Sequence, residues 1–447
     1  MRELCLVLLT LALLVLFIMP CSAEDSRIIA IDAGNSYSIA LTDNGTIWDW
    51  GFNIVGQLGN KSFTDRVYPL PVQVNIDDVK AISTGVYGVA ALRKDSTVWL
   101  WGFTDSGQMG DGDKPEYDQA RSFTSIPIMA DITNVKAIST GAGFTIAVKD
   151  DGTLWAWGAN SDGRLGDGTN TTKWYPVQIY GLSNIKDVKA GNNHWAALDK
   201  EGNVWMGGQN ITSDIGYKTV PINSTYATVI SPPFLIHPVQ VTISNVTAIT
   251  AGSSFSLALK DDGTVWGWGD DIFGELGDGA SLPIYGPDSE LTRQTPVMVK
   301  GLKNVIAIDS FSSRSLALKS DGTVWAWGRD ISSTPTKIPI ENVVAIACGT
   351  DHFLALKNDG SVWAWGGNDD GQLGIGDLSI QASSQPVRVL LGNNPASSIV
   401  PTSTPASVNN KTTKPGNNNV SDYTKILAMA GLAIIACGVV YFIIKRR

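Results

Sequence analysis

Five aspartates lie in glycine-rich turns that each follow a tryptophan motif. Asp162 and Asp167 sit in NSDGRLGDG, and Asp369, Asp370 and Asp377 in NDDGQLGIGD. Calcium takes roughly six to eight oxygen ligands, and Asp-rich loops supply them. Asp and Asn also hydrogen-bond their own backbone in glycine turns. The second chemistry fits the sequence better. Asn60 and Ile375 stand where other copies carry Asp, and the spacing of an EF-hand is missing. The turn therefore reads as structural, calcium is the lesser alternative, and no cofactor is expected.

Catalytic patterns are scarce. A glycosidase needs two carboxylates flanking a cleft, yet every turn carries carboxylates and no pair stands out. A nucleophile triad needs a histidine. The chain has His194, His237 and His352, with the first and last at a repeated position and the second in an insertion. Cysteine and histidine show no metal-ligand spacing. The expectation is a non-enzyme. A hydrolase alternative would require carboxylates converging on one mouth of the fold, of which the sequence gives no sign.

These turns belong to a repeat. Motifs of the W-x-W-G type begin at Trp48, Trp99, Trp155, Trp205, Trp266, Trp325 and Trp363, the fourth reading WMGG. They hold 13 of the 15 tryptophans, leaving out Trp174 and Trp195. Before each runs a segment such as VKAISTGAGFTIAVKDDGT. After most comes a GQLG-like turn and then an apolar stretch bearing proline. Seven copies fill residues 28–391 at about 52 residues each, a period that indicates propellers or arrays.

Stretches such as SLALK and TVWAW alternate with period two and read as strands. Asn44-Gly45, Asp151-Gly152, Glu201-Gly202, Asp262-Gly263, Asp321-Gly322 and Asp359-Gly360 are hairpin signals, because such turns need positive φ. Asp95-Ser96 departs from them and is expected to be strained. The two indoles of W-x-W share one sheet face and offer a flat surface to a neighbouring sheet. Four strands per unit, repeated seven times, predict an all-β, seven-bladed β-propeller. A linear solenoid is the alternative, but neither end shows a capping repeat.

The repeats resemble those of the regulator of chromosome condensation family, whose pattern runs G-x-x-H-x-x-A-L, D-G-x-V-x-x-W-G, G-Q-L-G. The resemblance covers residues 28–391 and implies a seven-bladed propeller. It does not set a function: relatives include a nucleotide exchange factor for a nuclear GTPase and secreted inhibitors of β-lactamase. The family's histidine falls on Tyr37, Gly88, Phe144, His194, Phe255, Arg314 and His352, so two copies keep it. Repeats four and six have lost the GQLG turn.

The ends read differently. Residues 1–23 look like a secretory signal, with an uncleaved anchor as the alternative. Residues 24–391 form the propeller. Residues 392–424 are rich in Pro, Ser, Thr and Asn and form a stalk. Residues 425–444 are long and apolar enough for a transmembrane helix, and 445–447 are a cytoplasmic basic tail. The expected location is a single-pass cell membrane protein with the propeller outside, tethered to the membrane by its C-terminal helix. The folded part holds only Cys348, so no intrachain disulfide is available there. Residues 24–424 carry 28 basic and 41 acidic side chains, a net −13, which argues against nucleic acid as a partner.

Insertions at 113–125, 209–237 and 280–295 occupy one point of the repeat. Binding usually lives on loops carried by a rigid scaffold. Trp174, Tyr175, Tyr217, Tyr226, Phe234, His237 and Tyr285 form a candidate aromatic anchor set for an extracellular protein or glycan. Glycosylation acceptors start at Asn44, Asn60, Asn170, Asn210, Asn223, Asn245, Asn410 and Asn419. The expected role is a non-enzymatic cell-surface binding scaffold. The alternatives are a structural envelope component, an enzyme-inhibitor-like protein or a hydrolase.

Overall fold

The structure is a computed structural model that describes residues 26–62, 66–112, 122–209, 234–280 and 292–391. The segments expected to be signal, stalk, membrane helix and tail lie outside the described residues, as do most of the insertions. Among the described residues no helix is long and apolar enough to cross a membrane.

Among the described residues twenty-eight strands form seven four-stranded antiparallel sheets, each built from four consecutive strands. The blades span 28–73, 79–129, 135–179, 185–240, 246–298, 305–337 and 343–388. First strands contact first strands all the way round, including blade seven with blade one, so the ring is a closed propeller and not a solenoid. The first strands line the axis. One face carries the turns between first and second strands and the GQLG loops, and is called the turn face below. The opposite face carries the second-to-third-strand hairpins and the connectors between blades, and is the hairpin face.

The second strands depart from a simple in-out alternation. HWAALD in blade four and YSIALT in blade one are buried at every residue. Each blade is covered on both sides by its neighbours, so the polar positions face another blade rather than water. Ser38 Oγ donates to the Gln372 carbonyl at 2.9 Å, Thr145 Oγ1 to Gln108 at 3.2 Å and Ser315 Oγ to Glu275 at 3.0 Å. A buried hydroxyl is tolerated because it is hydrogen-bonded.

The second indole of each motif joins the blades. Trp50 Nε1 donates to the Gln372 carbonyl at 2.9 Å, Trp101 to Gln57 at 2.9 Å, Trp157 to Gln108 at 2.8 Å and Trp327 to Glu275 at 2.7 Å. In every case the acceptor lies in the GQLG-type turn of the preceding blade. The two blades that follow a missing turn lack this bond: Trp268 and Trp365 bury an Nε1 with no partner among the described residues.

The first indole has its own bracket. Trp99, Trp155, Trp266, Trp325 and Trp363 donate Nε1 to the hydroxyl of Thr97, Thr153, Thr264, Thr323 and Ser361. That hydroxyl in turn donates to the Asp of the hairpin, as Thr153 does to Asp151 at 2.6 Å. Lys149 Nζ lies 4.3 Å from the Trp155 ring centroid, and four other blades repeat the cation–π contact. Ser96 holds φ 65° where the other hairpins place glycine, which is the strained position expected from the sequence.

Candidate functional site

One cavity of the propeller arises from a missing side chain. At the repeat position occupied by Tyr37, Phe144, His194, Phe255 and His352, the side chain is buried beneath the turn of its own blade. Tyr37 shows the reach of such a side chain. Its hydroxyl donates across the seam to the carbonyls of Gly85 and Gly88 at 2.9 and 2.8 Å. Blade two has Gly88 there and fills nothing. The result is a cavity of about 260 Å³ between blades two and three, open on the turn face.

Gly88, Leu100, Phe103 and Phe144 give this pocket an apolar wall, and Gln108, Thr140 and Arg164 line the rest. Tyr87 stands at the lip and is 42% exposed. Arg164 is immobilised: Nε and Nη2 each meet Asp162 at 2.7 Å, and Nη1 donates to the Ala142 carbonyl at 2.6 Å. Its charge is thereby neutralised by Asp162. The volume falls just below the ~300–1,000 Å³ of sites for drug-sized ligands. It suits one bulky, largely apolar side chain.

The anchor aromatics divide between seams. Trp174 lies over Gly107, which sits between the pocket-lining residues Ser106 and Gln108, and Tyr175 lies over Gly112. Both border the seam that holds the pocket, and Tyr175 is 56% exposed. His237 packs on Gly168 at the seam between blades three and four and is exposed. Phe234 begins the fourth strand of blade four. Tyr217, Tyr226 and Tyr285 lie outside the described residues, so the structure brings only Trp174 and Tyr175 to one place. Leu70 and Thr334 occupy the same strand position as Tyr175 and cover Gly376 and Gly279, so this contact also joins blades. The signal for the pocket was present in the sequence as Gly88, the one repeat without a side chain at the family's histidine position.

The aspartates of the turns are engaged by the turns. Asp167 accepts from Thr169 N and Asn160 Nδ2 at 3.0 Å each and pairs with Lys173 at 3.2 Å. Asp377 accepts from Ser379 N at 2.8 Å, and Asp162 is held by Arg164. Asp370 is half-buried, and burial raises its carboxyl above the ordinary value. Asp369 is exposed. Among the described residues no three His, Cys, Asp or Glu side chains are placed to hold a metal ion.

Carboxylates do converge on the axis, which the sequence did not reveal. Asp32 and Asp309 occupy equivalent positions of first strands in blades one and six, with Ser83, Ser139, Lys189, Thr250 and Ala347 in the others. Asp32 accepts from Thr84 N and Asp309 from Cys348 N at 2.8 Å, and Ser139 Oγ accepts from Ala190 N at 3.0 Å. Each ties its blade to the next. Burial raises the Asp309 carboxyl to about 7; burial opposes the charge on Lys189, but Asp187, Asp309 and Asp32 together hold its ammonium above the ordinary value. A cavity of about 10 Å³ lies at the turn-face end of the axis, lined by residues of blades two to six.

His194 Nε2 and His352 Nε2 lie 3.0 and 2.8 Å from the hydroxyls of Ser256 and Ser38 in the next blade. Both rings are fully buried. Burial depresses His194 to about 4. They are blade contacts. Among the acceptor asparagines, Asn44, Asn170 and Asn245 are exposed and Asn60 is half-buried; Asn210, Asn223, Asn410 and Asn419 lie outside the described residues.

Comparison with known proteins matches the RCC1-like domain over residues 78–389, and the RCC1 repeat over 44–92. The chain belongs to the RCC1-like domain family. Among relatives, the mitochondrial RCC1 domain-containing protein RUG3 of Arabidopsis thaliana is 30% identical over 311 residues, 68% of this chain and 54% of that protein. The ultraviolet-B receptor UVR8 of the same plant is 28% identical over 315 residues, 68% of this chain. The match spans 66% of that receptor. Among solved structures, yeast RCC1 (Prp20) with Kap60 superposes with a TM-score of 0.67 at 19% identity, over 84% of this chain and 87% of the other. Human WBSCR16 gives 0.66 at 21%, over 78% and 95%. At these identities the likeness is one of fold.

Proposed function

We propose that this RCC1-like propeller is a non-enzymatic binding scaffold displayed outside the cell, which holds a protein partner on its turn face at the seam of blades two and three. The pocket opened by Gly88 carries the reading. It is preformed, apolar, sized for one large side chain and lined by the exposed Tyr87, with the exposed Tyr175 on the same seam. Interfaces concentrate their energy in such anchor pockets, with aromatic residues around them. The family supplies precedent for protein partners: yeast RCC1 (Prp20) was solved bound to Kap60, and Prp20p was studied for binding to Gsp1p and histones. Display outside the cell rests on the N-terminal apolar run, the polar stalk and the C-terminal apolar run followed by Lys445, Arg446 and Arg447.

The test is to refill the pocket. Gly88 does not adopt positive φ, and the same position is aromatic in blades one, three and five. Gly88→Phe should fold normally by thermal melt and lose at least tenfold in affinity for the partner captured by the wild-type full-length chain and identified by mass spectrometry. Unchanged affinity would move the binding site elsewhere. Protease shaving of intact producing cells checks the display: loss of the propeller from the cell fraction is expected, and full protection would overturn it.

A further inference from the structure

The hairpin face carries a second, differently built surface. In every blade the first strand opens with a one-residue register shift at its second residue. Such bulges re-aim a side chain and are frequent beside functional sites. In chain order the bulged residues are Ile29, Lys80, Lys136, Lys186, Thr247, Ile306 and Val344. They surround the axis at the hairpin-face end, because the first strands are the innermost.

Their distribution is not mixed. Blades six, seven and one, which are contiguous through ring closure, present Ile306, Val344 and Ile29 at 56%, 50% and 48% exposure. Blades two, three and four present Lys80, Lys136 and Lys186. None of these lysines is in an ion pair among the described residues, whereas Lys149, Lys260, Lys319 and Lys357 are each seated on a tryptophan. Burial, with Lys200 beside it, lowers the Lys136 ammonium below its ordinary value, while Asp150 and Asp151 act in the opposite sense. Three aliphatics exposed on adjacent blades of one face point to a contact surface.

Outside this inner ring stand the hairpin tips, with Asp95, Asp151, Asp262, Asp321 and Asp359 held ionised by their Thr or Ser partners. A broad polyanion, whether duplex or anionic bilayer, meets those carboxylates first. A single narrow chain reaches the inner ring between them. We propose that the hairpin-face mouth docks an acidic protein segment carrying an aliphatic side chain, with its carboxylates over Lys80, Lys136 and Lys186 and its aliphatic group on Ile29, Ile306 and Val344. This interface is separate from the Gly88 pocket on the opposite face.

A fluorescein-labelled peptide, Glu-Glu-Glu-Glu-Leu-Ile-Leu, tests it by anisotropy against the full-length chain at low and high salt. Saturable binding that weakens with salt is expected. Lys136→Glu with Lys186→Glu, and separately Ile29→Ser with Val344→Ser, should each weaken it at least tenfold while leaving the thermal melt intact. Gly88→Phe should leave it unchanged. A wild-type chain that does not bind the peptide, or variants that bind it equally, would overturn the proposal. So would phosphatidylserine vesicles or duplex DNA that bind the chain more tightly than the peptide does.

Discussion

Trp195 and Gly207 face each other across the second and third strands of blade four, in the reverse of the arrangement used elsewhere. At the same register Ser38 faces Trp50, Thr145 faces Trp157 and Ser315 faces Trp327. The indole of Trp195 fills the space that a side chain at Gly207 would take, and its Nε1 reaches the Leu165 carbonyl of blade three at 3.2 Å. Large and small have changed places across one rung, and the seam is unbroken. Trp195→Ala should destabilise by about 3–5 kcal/mol, the range for a buried tryptophan. Trp195→Ser combined with Gly207→Trp restores the common arrangement. It should show a coupling of about 2–3 kcal/mol in a double-mutant cycle read by chemical denaturation. Additive losses would mean that the two sites do not share one cavity.

The orphaned indoles make a second comparison. Trp50 has an acceptor in the turn of blade seven, whereas Trp365 follows the shortened blade six and has none. A net hydrogen bond contributes about 1 kcal/mol, and an unsatisfied buried donor costs about 1–3. Trp365→Phe should therefore destabilise by about 1–2 kcal/mol less than Trp50→Phe. Phe353, stacked on Trp365 at 5.3 Å between centroids, keeps the aromatic packing in place.

Asp49 is the oddest core residue. Leu100, Ala156, Met206, Ala326 and Ala364 occupy its position in other blades, yet both Asp49 carboxyl oxygens are buried without a partner. Burial pushes its carboxyl well above the ordinary range. A raised carboxyl imposes no penalty below its unfolded value near ~4, and stability then falls as pH rises toward the folded value. Asp49→Leu should raise stability at pH 7 by about 1–3 kcal/mol and flatten that fall. Asp271, Glu275 and Asp309, raised to about 7 chiefly by burial, keep the remainder of the slope. Melting temperatures from pH 4 to 8 read both effects.

His194 acts in the opposite sense. Its folded value of about 4 lies below the unfolded value near ~6.5, so it leaves stability untouched above pH 6.5 and reduces it as pH falls toward 4. Protonation there opposes folding by roughly 3 kcal/mol at most. His194→Phe, which copies Phe144 and Phe255, should remove the acid-side loss over that window, at the price of leaving the Ser256 hydroxyl without its ring partner. A melt that still weakens equally between pH 6.5 and 4 would assign the loss to other groups.

The propeller was legible because the repeat writes its elements in order seven times. Asp-Gly turns, W-x-W spacing and proline-bearing outer strands each follow from local backbone demands. What was not legible depends on pairing between copies. The exchange of Trp195 with Gly207 requires the register of two strands, and the convergence of Asp32, Asp309 and Lys189 requires closure of the ring. Gly88 was visible as a departure, but a departure becomes a pocket only when the next blade supplies the far wall. In the sequence Trp174 and Tyr175 are aromatics of the repeat neighbouring an insertion. The structure seats them against the preceding blade, because each outer strand covers the turn of the blade before it.

Among the described residues each sheet is made of four consecutive strands, and none combines strands from the first and last blades. The junction of blades seven and one is held by the same contacts as the others: Trp50 to Gln372, Ser38 to His352, Gly376 N to the Pro69 carbonyl. The seam between first and last blades thus has no privileged status. A gene rearranged to start at any other blade would encode the same seven sheets, and duplication or loss of whole units changes the circumference without splitting a sheet. Such a ring is held blade by blade, and blades two, four and six depart from the common pattern while their neighbours keep the circle shut.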